Sequence, residues 1–203
     1  MWESGARMPR GQSMGFTILE LLFAVAIAGT LAAIVVPHSL RALDDFRTRA
    51  AARYVAQRLT AARFDAIKRS NAHGLRFEAD AGDYRMSTVA DGNGNGLRTT
   101  DVQRGVDRIL TEPETLGTHF AGVTFGIAEG VPDVDGAPAG SADGVRIGSS
   151  RLLALNADGT ATPGTLYVRS TNRAQYAVRV LGSTGRIRVL RFDAALRRWT
   201  DVL

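Results

Sequence analysis

Hydrophobic residues form one long run near the start of the chain, followed by shorter, spaced runs. Residues 16–36 read FTILELLFAVAIAGTLAAIVV, in which Glu20 is the single charge. Because a helix rises about 1.5 Å per residue, a helix of this length spans the hydrocarbon core of a bilayer, which is about 30 Å thick. The pattern therefore predicts a membrane-spanning helix.

Beyond Pro37 the apolar residues recur at steps of three to five, which is typical of one face of a helix. The residues on this predicted face are Leu40, Leu43, Phe46, Ala50, Tyr54, Leu59, Ala62 and Ala66. Arginines occupy much of the remaining surface, and residues 71–74 read as a stop signal. We expect one helix from about Phe16 to about Ser70. Its basic face is either a solvated or subunit-contacting surface or, alternatively, a nucleic-acid surface.

From Leu75 onward the apolar period changes to two, which predicts short antiparallel strands joined by turns. The fold class is therefore α+β, with a long N-terminal helix packed on an antiparallel β-sheet head. Residues 128–144 are rich in Gly, Pro, Ala and Asp and are predicted to form a mobile loop. The predicted strands are Leu75–Ala79, Tyr84–Val89, Val123–Ile127, Val145–Ile147, Leu152–Leu155, Thr165–Thr171, Gln175–Leu181 and Arg186–Phe192.

Composition argues against catalysis. The 203 residues include no cysteine, which excludes disulfides, thiolate zinc sites and cysteine nucleophiles, and the three histidines are isolated in sequence. No GxSxG, HExxH or phosphate-loop signature occurs. A protein that is not an enzyme is indicated, and no cofactor is implied.

The net charge of +5 conceals two opposite regions. Acidic residues predominate in residues 74–165, whereas residues 166–203 carry eight arginines against Asp193 and Asp201. We expect surface fields of opposite sign on different parts of the head.

The leader before the apolar run is short and polar, with Arg7 and Arg10. Positive charge there keeps this end cytoplasmic and predicts that the rest of the chain lies outside the membrane. Translation could start at Met1, Met8 or Met14. The alternative is a signal peptide cleaved near Ala26 or Ala28, but the run is longer than a usual apolar signal region and contains a carboxylate.

Residues 15–20, Gly-Phe-Thr-Ile-Leu-Glu, after a basic leader resemble the prepilin processing site of type IV pilins and type II secretion pseudopilins. The resemblance implies that prepilin peptidase cleaves between Gly15 and Phe16 and that Phe16 is then N-methylated. Glu20 would pair with the freed amine of a neighbouring subunit, although a lone glutamate reaching the headgroups is the alternative. The implied division is a leader (1–15), a transmembrane and filament-core helix (16–37), an amphipathic helix (38–73) and a β-rich head (74–203).

A second set of residues narrows the family. Segments 156–160, 164–168, 176–178 and 185–189 (NADGT, GTLYV, YAV and GRIRV) resemble the C-terminal block of GspH/FimT-type minor pilins and pseudopilins. This implies a single-pass protein of the bacterial inner membrane with a periplasmic head, located at or near a filament tip and active in assembly. Its implied partners are other major and minor pilins or pseudopilins and the inner-membrane assembly platform.

Three functions remain open. The leading one is a minor pilin of a type IV pilus, and the second is a GspH-type minor pseudopilin of a type II protein secretion system. The third is a periplasmic binding protein or hydrolase that carries a signal peptide.

The C-terminal arginines are candidates for DNA binding. Arg186 and Arg188 alternate on one predicted strand, Arg179 lies on its hairpin partner, and Arg191 extends the patch. Guanidinium groups bind phosphates bidentately, and the Gly-Arg-x-Arg pattern resembles the DNA-binding motif of FimT-type pilins involved in DNA uptake. Alternatively, these arginines pair with the acidic head of a neighbour.

Residues 91–101 resemble the opening of a calcium loop, with oxygen ligands at alternate positions followed by glycine. The candidate Ca²⁺ ligands are Asp91, Asn93, Asn95 and Asp101. Val102 stands where a calcium loop carries a bidentate glutamate, so an Asn/Gly-rich turn is the alternative.

Overall fold

The computed structural model describes residues 16–138 and 142–202. These residues fall into two units, one reaching to Leu40 and the other beginning at Arg41. The element order, a long helix followed by antiparallel strands, confirms the predicted α+β class.

Helix α1 spans Ile18–Arg69, within two residues of the predicted bounds. Pro37 lies inside it, and the helical assignment continues on both sides. Thr17 caps the N-terminus: its Oγ1 accepts a hydrogen bond of 3.2 Å from the backbone N–H of Glu20, and its carbonyl accepts one from Leu21. Thr17 and Glu20 thus have the spacing of a capping box.

The buried face of α1 agrees with the predicted one at Leu59, Ala62 and Ala66 and differs from it nearer the N-terminus. Its members are mostly small: Thr48, Ala51, Ala52, Val55, Ala56, Leu59, Ala62 and Ala66. Leu40, Leu43 and Phe46, which were predicted to be buried, are exposed. Small side chains let the helix backbone approach the strands closely, so packing selects the alanine stripe over the bulkier one.

After α1, the described residues contain two short helices, α2 (Thr99–Gln103) and α3 (Leu116–His119), and ten strands. The strands are β1 His73–Asp80, β2 Asp83–Ala90, β3 Arg108–Ile109, β4 Val123–Phe125, β5 Val145–Arg146, β6 Leu152–Leu155, β7 Gly164–Ser170, β8 Gln175–Val180, β9 Ile187–Asp193 and β10 Arg198–Asp201. The eight predicted strands correspond to β1, β2 and β4–β9 with small shifts at their ends. The two short helices, β3 and β10 were not predicted.

The strands form two antiparallel sheets. The first sheet has the order β3-β2-β1-β6, and the second has the order β10-β9-β8-β7-β4, with β5 also paired to β7. Alternation along each strand directs one set of side chains toward α1 and the other set away from it.

The larger core lies between α1 and the two sheets, with Leu59 of α1, Leu75 and Leu153 of the first sheet, and Leu166 and Val178 of the second. A smaller core covers the opposite face of the second sheet and contains Ile127, Val131, Tyr167, Ala177 and Leu190. We call this second face the outer face.

Residues 128–138 of the predicted mobile loop pack on the outer face and have defined contacts there. Ala128 N–H donates to Gln175 Oε1 (2.8 Å), and Val134 N–H donates to the Tyr167 hydroxyl (3.1 Å). Trp199 Nε1–H donates to the Pro132 carbonyl (3.1 Å). The loop is therefore a cover for apolar side chains, a role that its Gly- and Pro-rich composition did not indicate.

Candidate functional site

The first part of α1 is apolar and exposed throughout. Phe16 and Ile18 are each 81% exposed, and Val36 is 54% exposed. This helix is long and apolar enough to cross a membrane by length and composition, and none of its most apolar window is buried. The energetic cost of leaving such a surface in water is large. Gly15, the other residue of the predicted cleavage site, lies outside the described residues.

Glu20 is exposed on this segment and has a local role as well as the one implied by the resemblance. It stands in the first turn of α1, where the helix dipole favours a carboxylate, and its N–H is held by Thr17. Glu20 is therefore both part of the capping pair with Thr17 and a charge exposed on an apolar surface.

Two of the four predicted DNA-binding arginines face the same side of the second sheet. Arg179 of β8 and Arg188 of β9 are directly opposite in the antiparallel register, on the outer face. Each has an acidic partner: Arg179 Nη1 lies 2.7 Å from Asp135 Oδ1, and Arg188 Nη2 lies 2.6 Å from Asp201 Oδ2. The structure brings these two arginines together, and each of them forms an ion pair with a carboxylate.

Arg191 does not extend this patch, which corrects the prediction. It is paired with Tyr176 in the β8–β9 register and points to the α1 side of the sheet, where Nη2 lies 3.3 Å from Asp45 Oδ1. Tyr176 donates a 3.1 Å hydrogen bond to the same oxygen. Alternation places residues 188 and 191 on opposite faces because they are an odd number of positions apart.

Arg186 precedes β9 and lies in the turn that joins β8 to β9. Its carbonyl accepts a 3.0 Å hydrogen bond from the Leu181 N–H, which continues the β8–β9 ladder by one residue, so Arg186 keeps the predicted spacing of two positions from Arg188. Its side chain is exposed and, among the described residues, has no carboxylate at ion-pair distance. The turn itself is anchored, because Arg63 of α1 donates a 3.0 Å hydrogen bond to the Thr184 carbonyl.

Neighbouring Gly185 has a φ of +57° and approaches the Gly159 carbonyl so closely that a Cβ would lie 2.6 Å from that oxygen. Glycine is therefore required at this point. The turn therefore holds the backbone of Arg186 in place, and no local pattern predicted the contact with Arg63.

The calcium candidates form a hydrogen-bonded loop. Asp91 Oδ1 accepts hydrogen bonds from the N–H groups of Asn93 and Gly94, and its Oδ2 accepts one from Gly96. Asn95 Nδ2 donates to Asp101 Oδ2 (3.1 Å). Within the described ranges, no group of three or more His, Asp or Glu side chains could hold a metal ion. The geometry is that of a stable Asn/Gly-rich turn, and Ca²⁺ stays a prediction of the sequence.

The same loop contains an acid that the sequence did not single out. Asp107 is 1% exposed, and its two oxygens accept hydrogen bonds from the N–H groups of Gly92 (3.1 Å) and Arg98 (3.0 Å). The carboxylate closes the loop from the far side of α2, a contact that no local motif indicates.

The described structure thus has an exposed apolar helix segment and a head in which antiparallel sheets pack on the following part of α1. These features are those of an α+β architecture. A solved structure to which the chain is similar is that of the minor pseudopilin EpsH from the Type 2 Secretion System of Vibrio cholerae, with a TM-score of 0.45 and 19% sequence identity. The match covers 71% of this chain and 97% of that chain. No protein-family model matches the chain. No curated protein matches it either.

Proposed function

We propose that this protein is a membrane-anchored filament subunit of the minor pilin or pseudopilin type, with its head outside the cytoplasmic membrane. The observation that carries the proposal is the exposed apolar segment of α1 with Glu20 as its single charge. In the membrane this surface faces lipid, and in a filament it packs against the same segment of neighbouring subunits.

Glu20 sets the axial register between neighbouring subunits in that packing. A carboxylate in an apolar environment is costly unless a cation neutralises it, so subunits that place an N-terminal amine beside it are favoured. Cleavage after Gly15 creates that amine on Phe16. N-terminal sequencing and mass spectrometry of the mature protein test this step: we expect N-methylated Phe16, and a mature end near Ala28 would instead indicate signal peptidase and a periplasmic binding protein or hydrolase.

Variants of Glu20 test the pairing. Glu20→Gln keeps a polar side chain in the first turn of α1 but removes the charge, and Glu20→Asp keeps the charge. We expect filament incorporation, measured by co-purification with sheared filaments, to fall sharply for Gln and much less for Asp. Equal incorporation of the Gln variant and the parent would contradict the pairing, and total membrane levels of each variant serve as the control.

The leading assignment is a type IV pilus subunit, and the alternative is a type II secretion pseudopilin. Deleting the gene distinguishes them: loss of surface pili with intact protein export supports the first, and retained secretion substrates with intact pili support the second. Crosslinking from the head should then capture other tip subunits of the same machine.

DNA is a further candidate partner, through Arg186 and the neighbouring Arg188. Support comes from the exposed Arg186 on an anchored turn and from the weak net value of exposed ion pairs, which leaves Arg188 able to exchange Asp201 for a phosphate. We expect full-length protein in detergent to bind duplex DNA with an affinity that depends strongly on salt. The slope of log affinity against log salt concentration should fall by about one unit for each phosphate contact removed.

The double variant Arg186→Glu/Arg188→Glu should abolish this binding. The matched control is Arg104→Glu/Arg108→Glu, which changes the net charge equally at exposed positions near the first sheet. Unchanged binding in the hairpin variant, or equal loss in both variants, would refute a contact through the hairpin.

A further inference from the structure

A cleft with a volume of about 570 Å³ opens at one end of the second sheet. The β7–β8 turn and the β9–β10 turn both lie at this end, because Tyr176 near the start of β8 pairs with Arg191 near the end of β9. The chain that follows β4 forms the third wall. This end is opposite the turn that carries Arg186.

Three arginines line the cleft: Arg169 from β7, Arg173 from the β7–β8 turn and Arg197 from the β9–β10 turn. None of them has a carboxylate at ion-pair distance within the described ranges, in contrast to Arg179, Arg188 and Arg191. Glu129 is the single acid among the residues that line the cleft. The lining therefore carries a net positive charge, and Asp83, outside the lining, interacts electrostatically with Arg169.

Arg169 packs against the backbone of Gly126, which has no side chain. A Cβ on Gly126 would lie 2.8 Å from Arg169 Nε and 3.3 Å from its Cζ, so the guanidinium occupies the space that glycine leaves open. This arginine is half-buried and directed along the wall formed by the segment after β4.

Arg173 and Arg197 both have left-handed backbone conformations, with φ of 74° and 47°. Glycine or asparagine is the usual residue at such turn positions, and another residue there costs stability. Both arginines line the same cleft although their backbone conformations favour glycine. This combination indicates that their side chains have a function in the cleft.

The lining of the cleft also has an apolar part. It includes Phe192, which packs against Trp199 with ring centroids 5.4 Å apart, and Val131. Gln175 fixes the wall: it is 2% exposed, accepts a hydrogen bond from Ala128 N–H, and donates to the Gly126 carbonyl at 3.1 Å. The cleft thus combines cationic side chains and an aromatic ring in one lining.

We propose that this cleft binds single-stranded nucleic acid, with phosphodiester groups on Arg169, Arg173 and Arg197 and a base against Phe192. Guanidinium groups bind phosphates bidentately, and an aromatic side chain in the lining contributes stacking energy only to a base that is not stacked inside a duplex. A nucleic acid carries a charge on every residue, which matches three separate guanidiniums better than the spaced carboxylates of a peptide. The site shares its ligand class with the DNA contact proposed above but uses none of the same residues.

The test uses full-length protein in detergent micelles and a fluorescein-labelled single-stranded oligonucleotide of about ten nucleotides, followed by anisotropy. We expect Arg173→Gly/Arg197→Gly to weaken binding at least tenfold and to reduce the salt slope by about 1.4, since each phosphate contact on a single strand contributes about 0.7. The thermal midpoint of the head should stay the same or rise, because glycine relieves both left-handed positions. Ala81→Gly, at a φ of 45° on the first-sheet hairpin, is the control for the glycine effect.

Arg186→Glu/Arg188→Glu separates the two sites, because it should abolish duplex binding and leave single-strand binding within about twofold. Single-strand binding that is unchanged in the Arg173/Arg197 variant overturns the inference. A poly-glutamate peptide that binds the parent as tightly as the oligonucleotide also overturns it, since the site would then recognise acidic chains in general.

Discussion

The carboxylate of Asp135 lies 2.7 Å from the guanidinium of Arg179, across the outer face of the second sheet. Asp135 belongs to the covering loop and is 70% exposed, whereas the Arg179 side chain is 29% exposed. On the neighbouring strand β9, Arg188 donates hydrogen bonds to Asp201 Oδ2 from both Nε (2.9 Å) and Nη2 (2.6 Å). Acidic side chains therefore stand where phosphates would bind on this face.

Removing Asp135 should raise affinity for duplex DNA. Asp135→Asn leaves the loop intact but frees Arg179, and an exposed ion pair is worth about 0.2–1 kcal/mol, so we expect tighter binding by up to about fivefold. Fluorescence anisotropy at low and moderate salt measures the change. Asp80→Asn is the matched control, because it removes the same charge from the Asp80–Arg85 pair (2.8 Å) on the first-sheet hairpin. An equal gain in the control would show that only net charge matters.

The cluster around Glu114 predicts acid sensitivity of the head. Tyr54 donates a 2.5 Å hydrogen bond to Glu114 Oε1, and His119 Nε2 lies 2.8 Å from Oε2. Burial alone would raise the pKa of Glu114, but these hydrogen bonds and the charges of Arg58 and His119 outweigh it and lower that pKa. A lowered carboxyl pKa contributes stability above its unfolded value, and this contribution is lost as the pH falls through the folded value.

We therefore expect Glu114→Gln to reduce the free energy of unfolding at pH 7 and to flatten its decline between about pH 5 and pH 3. Chemical denaturation at several pH values measures both. Glu112→Gln, two residues away at an exposed position, should change neither quantity. A pH profile of Glu114→Gln that is parallel to that of the parent would contradict the prediction.

Close backbone packing in the first sheet predicts that Gly74 cannot be replaced. A Cβ on Gly74 would lie 2.1 Å from the Leu153 carbonyl oxygen of the neighbouring strand. Gly74→Ala must push β1 away from β6, and we expect a loss of about 3 kcal/mol in the free energy of unfolding. Gly117→Ala is the control, because its nearest new contact would be at 3.7 Å. Thermal denaturation compares the two, and equal midpoints would show that the strands adjust without cost.

Local patterns were sufficient for most of the strands and for the bounds of α1, because period and turn residues are local properties. They failed for the N-terminal part of the buried face of α1, where Leu43 and Phe46 continue the apolar pattern but alanines such as Ala52 make the contact. Both stripes have helical spacing, and only packing distinguishes them. The arginine partners could not be predicted either, since Asp45 and Asp135 are remote in sequence from the arginines that they contact.

The Tyr176–Asp45 contact predicts alkaline destabilisation of the head. Burial, together with the nearby negative charge of Asp45, raises the pKa of Tyr176 to about 12 from the ordinary value near 10. A raised tyrosine pKa contributes stability that is complete below about pH 10 and is lost as the pH rises toward 12, at most about 2–3 kcal/mol for this group. Tyr176→Phe should remove that part of the decline, because the ring stays buried but cannot ionise. Denaturation between pH 9 and pH 12 checks the slope, and an unchanged slope in the Phe variant would assign the alkaline loss to other groups.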